Sequence, residues 1–188
     1  GDAGLWHFGP RDRAHMLLLP PILSEQSADA LADGVCRLRQ ATGFEVLPEN
    51  PPGEIFIGDM HLLDYFGHVV DRADTGMLLD CAHLAIYQRS QGHQPITGLD
   101  SFPLDRVVEL HVAGSSIKES NGVTFVEDDH TLDVLPDTWA IFDTIIARAP
   151  NLKAVVFECE RNDIQGAVVG FSEIRDRLAS HGHFGFGS

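Results

Sequence analysis

Short apolar runs in this chain stop on residue types that bind metal ions. Four of them read as buried strands: FEVLP before Glu49, GMLL before Asp80, RVVEL before His111 and AVVF before Glu158. Two places carry a second donor close by, Asp80 with His83 in LLDCAH and Asp128 with His130 in EDDH. Carboxylate oxygens and imidazole nitrogens without thiolate suit iron, zinc or manganese rather than a copper–thiolate centre. In a parallel α/β sheet or barrel the ends of successive strands converge on one face, where catalytic groups are assembled. Glu49, Asp80, His83, His111, Asp128, His130 and Glu158 are therefore expected to share one face as metal ligands.

Each residue also has a plainer reading. Asp80 can cap a following turn, with His83 a satisfied loop histidine, and a lone histidine such as His111 is more often structural. Asp128 and His130 share a face in extended chain, yet Glu127 and Asp129 beside them also fit an exposed acidic loop. Glu49 and Glu158 stand where buried strands stop, a costly place for a carboxylate unless it is paired or metal-bound. The weight comes from their common placement. His61 and His68 fall on a predicted helix, His93 in a loop, and His181 and His183 in the tail, so they are set aside as non-ligands. Glu160 points to the same side as Glu158, as an outer neighbour. GxSxG, P-loop and HExxH motifs are absent, as is GxGxxG after a strand.

The elements that would position these residues alternate between strand and helix patterns, the signature of βα units and a parallel sheet. GLWHF reads as a first strand, and AHMLLLPPIL as a crossing into a loop at Pro20 and Pro21. A helix is predicted over 24–43, started by Ser24 and stopped by Gly43. Strand then follows over 44–48, helix over 59–73 capped by Asp59, and strand over 76–87. Residues 88–103 read as loop, 106–114 as the clearest strand, and 115–130 as a second long loop turning at Asn121-Gly122. Helix 133–149, strand 152–160 and helix 164–180 complete the pattern, and the tail 182–188 is expected to be mobile. Residues 1–188 thus read as a single α/β domain.

The 188 residues are 44 % hydrophobic and 22 % charged, ordinary for a globular protein. A formal charge of −15, from 13 basic and 28 acidic residues, argues against a non-specific nucleic-acid surface, which needs clustered Lys and Arg. Cys36, Cys81 and Cys159 show no CxxC or secreted-disulfide spacing and read as thiols in a reducing cytoplasm. No run approaches the ~18 apolar residues of a membrane span, and no signal-peptide pattern opens the chain.

The segments LPENPP, LLDCAH, ELHVAG, EDDH followed by the Trp139 helix, and VVFECE occur in an order that resembles the multinuclear non-heme iron-dependent oxidative enzymes, relatives of the xylose-isomerase-like barrels. The resemblance covers roughly positions 1–163. It implies a TIM-type (β/α) barrel with two or three irons at its C-terminal face, held by the seven residues above. Asp80, His83 and His111 are the expected catalytic members. It further implies dioxygen-dependent modification of a ribosomally made precursor peptide at cysteine, usually with a partner protein that captures the peptide leader. The family barrel begins with strands not found here, one of which supplies a histidine. Gly1-Asp2-Ala3 stands where the family has a Ser-acid-His pattern, and His7 is the candidate replacement for the missing histidine. The chain therefore reads as the C-terminal five βα units of a longer barrel, or one completed by another chain. Two alternatives remain open: a zinc- or manganese-dependent isomerase or hydrolase on the same barrel, and a non-catalytic metal-binding partner protein.

Overall fold

The computed structural model describes residues 2–7 and 14–182, with 5–7 and 14–17 described at the backbone only. The His7 side chain, His183 and most of the tail lie outside the described residues. The elements in chain order are β1 (Leu5–His7), β2 (Ala14–Leu19), α1 (Glu25–Thr42), α2 (Leu62–Ala73), β3 (Met77–Asp80) and α3 (Cys81–Ser90). They are followed by β4 (Val107–Ser120), β5 (Val123–Thr131), α4 (Pro136–Ile146), β6 (Ala154–Glu158) and α5 (Ile164–Ser180).

The first half of β4 lies between β3 and β6, parallel to both, with Asp80 opposite His111 and Glu158 opposite Ala113. The arc extends by single parallel bridges from Leu78 to Glu49 and from Glu49 to Asp2. Asp2, Glu49, Asp80, His111 and Glu158 consequently line one rim. Among the described residues this is an open arc, and no closed barrel is formed. The TIM-type expectation is thus met only as a mixed α/β fold with a parallel sheet and five helices.

Several local expectations need correction. The predicted strand 44–48 is reduced to the bridge at Glu49, with backbone bonds Leu78 N to Pro48 O and Ala3 N to Glu49 O, because the prolines that follow remove donors. GLWHF does form β1, but β1 pairs antiparallel with β2 in a separate hairpin. AHMLLL is therefore strand up to Leu19. The strand predicted over 76–87 ends at Asp80 and becomes α3, whose Cys81–Gln88 are all buried. An apolar run buried on every side carries no period to tell helix from strand. His61 rather than Asp59 caps α2, its Nδ1 accepting from Leu63 N at 3.1 Å.

The largest correction falls on 115–130. The second half of β4 and β5 form an antiparallel hairpin there, not a loop. Asn121 (φ 53) and Gly122 (φ 77) make its turn, both in the left-handed region that an Asn-Gly pair accepts. Gly114 sits where β5 returns against β4, and a Cβ there would strike the Thr131 backbone. The core lies between the sheet and its helices, with Leu62, Phe66 and Val69 of α2 and Ile141, Phe142 and Ile145 of α4 fully buried.

Candidate metal centre

Asp80 ends β3 and caps α3. Its Oδ1 accepts from His83 N at 2.8 Å, which points the other oxygen away from the helix. Asn50, fully buried, clamps the same strand end: its Oδ1 accepts from Asp80 N and its Nδ2 donates to Asp80 O, both at 2.9 Å. One turn into α3, His83 brings Nε2 to 3.0 Å from Asp128 Oδ2 and 3.7 Å from Asp80 Oδ2. His111, on the neighbouring strand, has Nδ1 3.3 Å from Glu49 Oε1 and 3.2 Å from Glu158 Oε1. The returning strand β5 supplies the remaining pair. His130 Nε2 lies 3.5 Å from Asp128 Oδ2 and 3.7 Å from Glu158 Oε2. His130 holds φ 52, a left-handed conformation unusual outside glycine, which re-aims its ring where β5 ends.

All seven residues singled out in the sequence thus form one contiguous cluster. Asp2 joins them, its Oδ1 3.8 Å from His83 Nδ1. The donor atoms of Asp2, Glu49 and His83, and those of Glu49, Asp80 and His111, lie within 4.8 Å of one another, close enough to hold a metal ion.

Each imidazole is tied at one nitrogen and faces the cluster with the other. His83 Nδ1 is 2.8 Å from Asn50 O, His130 Nδ1 is 2.8 Å from Glu160 Oε1, and His111 Nε2 is 3.4 Å from Glu109 Oε1. A carbonyl or carboxylate on the far nitrogen fixes tautomer and ring orientation in metal-binding histidines. Several buried atoms of the cluster, in turn, lack ordinary partners. Asp80 Oδ2, Asp128 Oδ1, Asp2 Oδ1 and His111 Nδ1 are buried with no hydrogen bond, the last despite its two nearby carboxylates. Orphaned buried polar atoms are rare and costly. Four around one pocket, of metal-ligating types, fit cations of the iron, zinc or manganese class.

The electrostatics describe the same pocket without cations. Burial, with Asp128 and Glu158 nearby, pushes the Asp80 carboxyl up to about 6 against the pull of His83. Burial alone would lower the two inner imidazoles, but the carboxylates win. Asp80 and Asp128 hold His83 up at about 10, and Glu158 and Glu49 do the same for His111. Asp128 is lowered because its contacts with His83 and His130 outweigh its burial, and Glu158 chiefly because His111 stands beside it.

The described positions also bear on the histidines set aside. His61 caps α2, His68 pairs with Asp29 at 2.8 Å on the outside of α1 and α2, and His93 meets Gln88 at 3.2 Å. None joins the cluster. The sequence reading missed three participants, Asp2, Asn50 and Glu109. The last two carried a signal, since Asn50 adjoins Glu49 at a strand end and Glu109 is two residues from His111 on one face.

Residues 7–174 match the family model described as RiPP precursor modification enzyme MbnB/TglH/ChrH. The chain belongs to this family. It is the family of multinuclear non-heme iron-dependent oxidative enzymes to which the ordered motifs point. The match includes all seven clustered residues, and Asp2 lies ahead of it. Similar MbnB/TglH/ChrH relatives carry the name UPF0276 protein. One from Rhizorhabdus wittichii is 29 % identical over 147 residues, covering 78 % of this chain and 50 % of the relative. Another from Rhizobium meliloti is 26 % identical over 133 residues, covering 69 % and 43 %. A third from Caulobacter vibrioides is 27 % identical over 140 residues, covering 73 % and 50 %. The chain spans about half the length of the curated relatives it matches. No described helix is long and apolar enough to cross a membrane.

Proposed function

We propose that this chain carries the metal centre of an iron-dependent enzyme that oxidises a ribosomally made precursor peptide at cysteine, with dioxygen accepting the electrons. The observation that carries the metal reading is the set of three imidazoles, each anchored at its outer nitrogen and facing carboxylates, in a cluster where Asp80 Oδ2, Asp128 Oδ1 and Asp2 Oδ1 are buried without a hydrogen bond. Glu49, Asp80, His83, His111, Asp128, His130 and Glu158 are the proposed ligands, for two or three irons, with Asp2 as an added donor. When bound, iron in such a site supplies a Lewis-acidic place for the cysteine thiolate and a redox couple for dioxygen.

The protein's own groups do the rest. Asn50 and the helix-capping oxygen of Asp80 lock the β3 end, so the free carboxylate oxygen keeps its aim. Glu109 and Glu160 fix the rings of His111 and His130 from outside. Asp80, His83 and His111 form the proposed catalytic core. The peptide substrate and a leader-holding partner protein are inferred from the family and the resemblance.

The test is metal analysis of anaerobically purified protein, followed by turnover of a cysteine-containing precursor peptide under oxygen. Iron-dependent mass change at cysteine is the expected result. Full activity without iron, or activity restored equally by zinc or manganese without oxygen, would replace oxidation with the isomerase or hydrolase alternative.

A further inference from the structure

Next to the cluster, and sharing only Asp128 with it among the described residues, lies a cavity of about 660 Å³. Pro21, Ile22, Ile55, Ile57, Ile86 and Val126 form much of its wall. Among the described residues its charged lining consists of two carboxylates, Glu54 and Asp128. The cavity adjoins the cluster, because Asp128 borders both and its Oδ2 stands 3.0 Å from His83 Nε2. Ile86 follows His83 by one turn of α3, and Val126 precedes Asp128 by two residues on β5. Glu54 Oε1 accepts from Val126 N at 2.7 Å, so the loop after Glu49 is fastened to the hairpin and the wall is built, not incidental. Ile22, Ile55 and Ile57 are 46, 82 and 69 % exposed, an apolar patch left open to solvent. Such patches mark binding surfaces.

We propose that this cavity receives an apolar stretch of the precursor peptide, the residues directly flanking the one presented to the metal centre. The inference rests on the proposed function and adds a sequence preference to it. The volume falls in the range of about 300–1,000 Å³ that ligand sites occupy, which is more than one side chain fills. An acidic flanking residue would meet Glu54 and Asp128, with no cation among the described lining residues to offset them.

The test uses the protein loaded anaerobically with iron(II) and two fluorescein-labelled heptapeptides read by fluorescence anisotropy. Each has one central cysteine, flanked on both sides by Leu-Phe in the first and by Ser-Ser in the second. The apolar probe is expected to bind at least tenfold tighter. Ile55→Asp and Ile57→Asp, both at exposed positions that leave the melting temperature and iron content unchanged, should cut that preference below twofold. Phe44→Asp, at a 75 % exposed position outside the cavity, should keep it. No preference in the parent protein, or a preference that survives both isoleucine changes, overturns the proposal. A second pair of probes with serine for cysteine separates the two readings. Cysteine-dependent affinity without apolar preference overturns the cavity alone. Apolar preference lost in the isoleucine variants, with no dependence on cysteine, supports the cavity as a peptide site and counts against thiolate binding at the iron.

Discussion

Asp80→Asn separates two jobs that the wild-type side chain performs with different oxygens. Oδ1 caps α3 through His83 N, and Oδ2 is the buried atom facing the cluster. Asparagine is as good an N-cap as aspartate, so the helix start should survive. What disappears is a carboxylate whose pKa burial has raised to about 6. A raised folded value means that the ionised group destabilises the metal-free fold above that pH, and that the cost vanishes below the ordinary carboxylate range. Removing an unsatisfied buried charge typically recovers about 1–3 kcal/mol, less whatever the new amide hydrogens fail to bond. The metal-free variant should therefore melt at or a few degrees above the wild type. With iron(II) at a hundredfold excess over its dissociation constant, binding adds about 2.7 kcal/mol. In a chain of this size that is roughly 5–10 °C. Asp80→Asn should lose most of that metal-induced shift, while Asp80→Ala should also lose the cap, worth about 0.5–2 kcal/mol. Paired anaerobic melts with metal analysis decide the matter. An Asp80→Asn protein that keeps the full iron content and shift would reduce Asp80 to a helix cap.

Asn50→Ala removes both clamps on the β3 end and leaves two backbone groups of Asp80 unpaired. It should cost about 2–4 kcal/mol in urea unfolding and weaken metal binding without removing a ligand. Gly122→Val strains the left-handed turn by about 1–2 kcal/mol. Isothermal titration should then show weaker metal binding, because β5 carries Asp128 and His130, and unchanged affinity would mean that the turn does not place them. The imidazoles give a pH dependence of opposite sign in the two states. His83 and His111 are held up at about 10, so their stabilisation of metal-free protein is full below pH ~6.5 and lost as pH rises through about 10. Metal needs them neutral, so iron(II) uptake at pH 7 should release protons into weakly buffered solution, and uptake without release would contradict the pairing described.

The site was far more legible than the fold around it. Glu49, Asp80, His111 and Glu158 could be read from where apolar runs stop, because a parallel sheet brings strand ends to one rim whatever connects them. The connections were harder. α3 is buried from Cys81 to Gln88, which erases the 3.6-residue period that would have distinguished it from strand. Residues 115–130 read as loop because Lys118, Glu119 and Ser120 are exposed on both faces of a projecting hairpin, where no apolar alternation is required. The Asn121-Gly122 pair was the one sign of that hairpin. Asp2 ends no apolar run and stood out only as the acid of Gly1-Asp2-Ala3, set against the family's Ser-acid-His pattern. It joins the site through a single bridge to Glu49, a contact between segments more than forty residues apart.

The cluster also explains how a folded chain can hold so many carboxylates together. Asp2, Glu49, Asp80, Asp128 and Glu158 face His83, His111 and His130. Without metal, imidazolium rings are the cations that offset them, which is why the neighbouring carboxylates hold these rings up so strongly. In the proposed metal-bound state, cations would take over that role as the rings give up their protons and their inner nitrogens become ligands. With neutral imidazoles, two divalent ions would offset four of the five negative charges and three would offset all of them. A pocket designed around an internal salt bridge would satisfy its oxygens with the histidine protons alone. This one leaves Asp80 Oδ2, Asp128 Oδ1 and Asp2 Oδ1 without hydrogen bonds. The histidines balance the charge but do not complete the geometry, and a cation binding at those oxygens completes both.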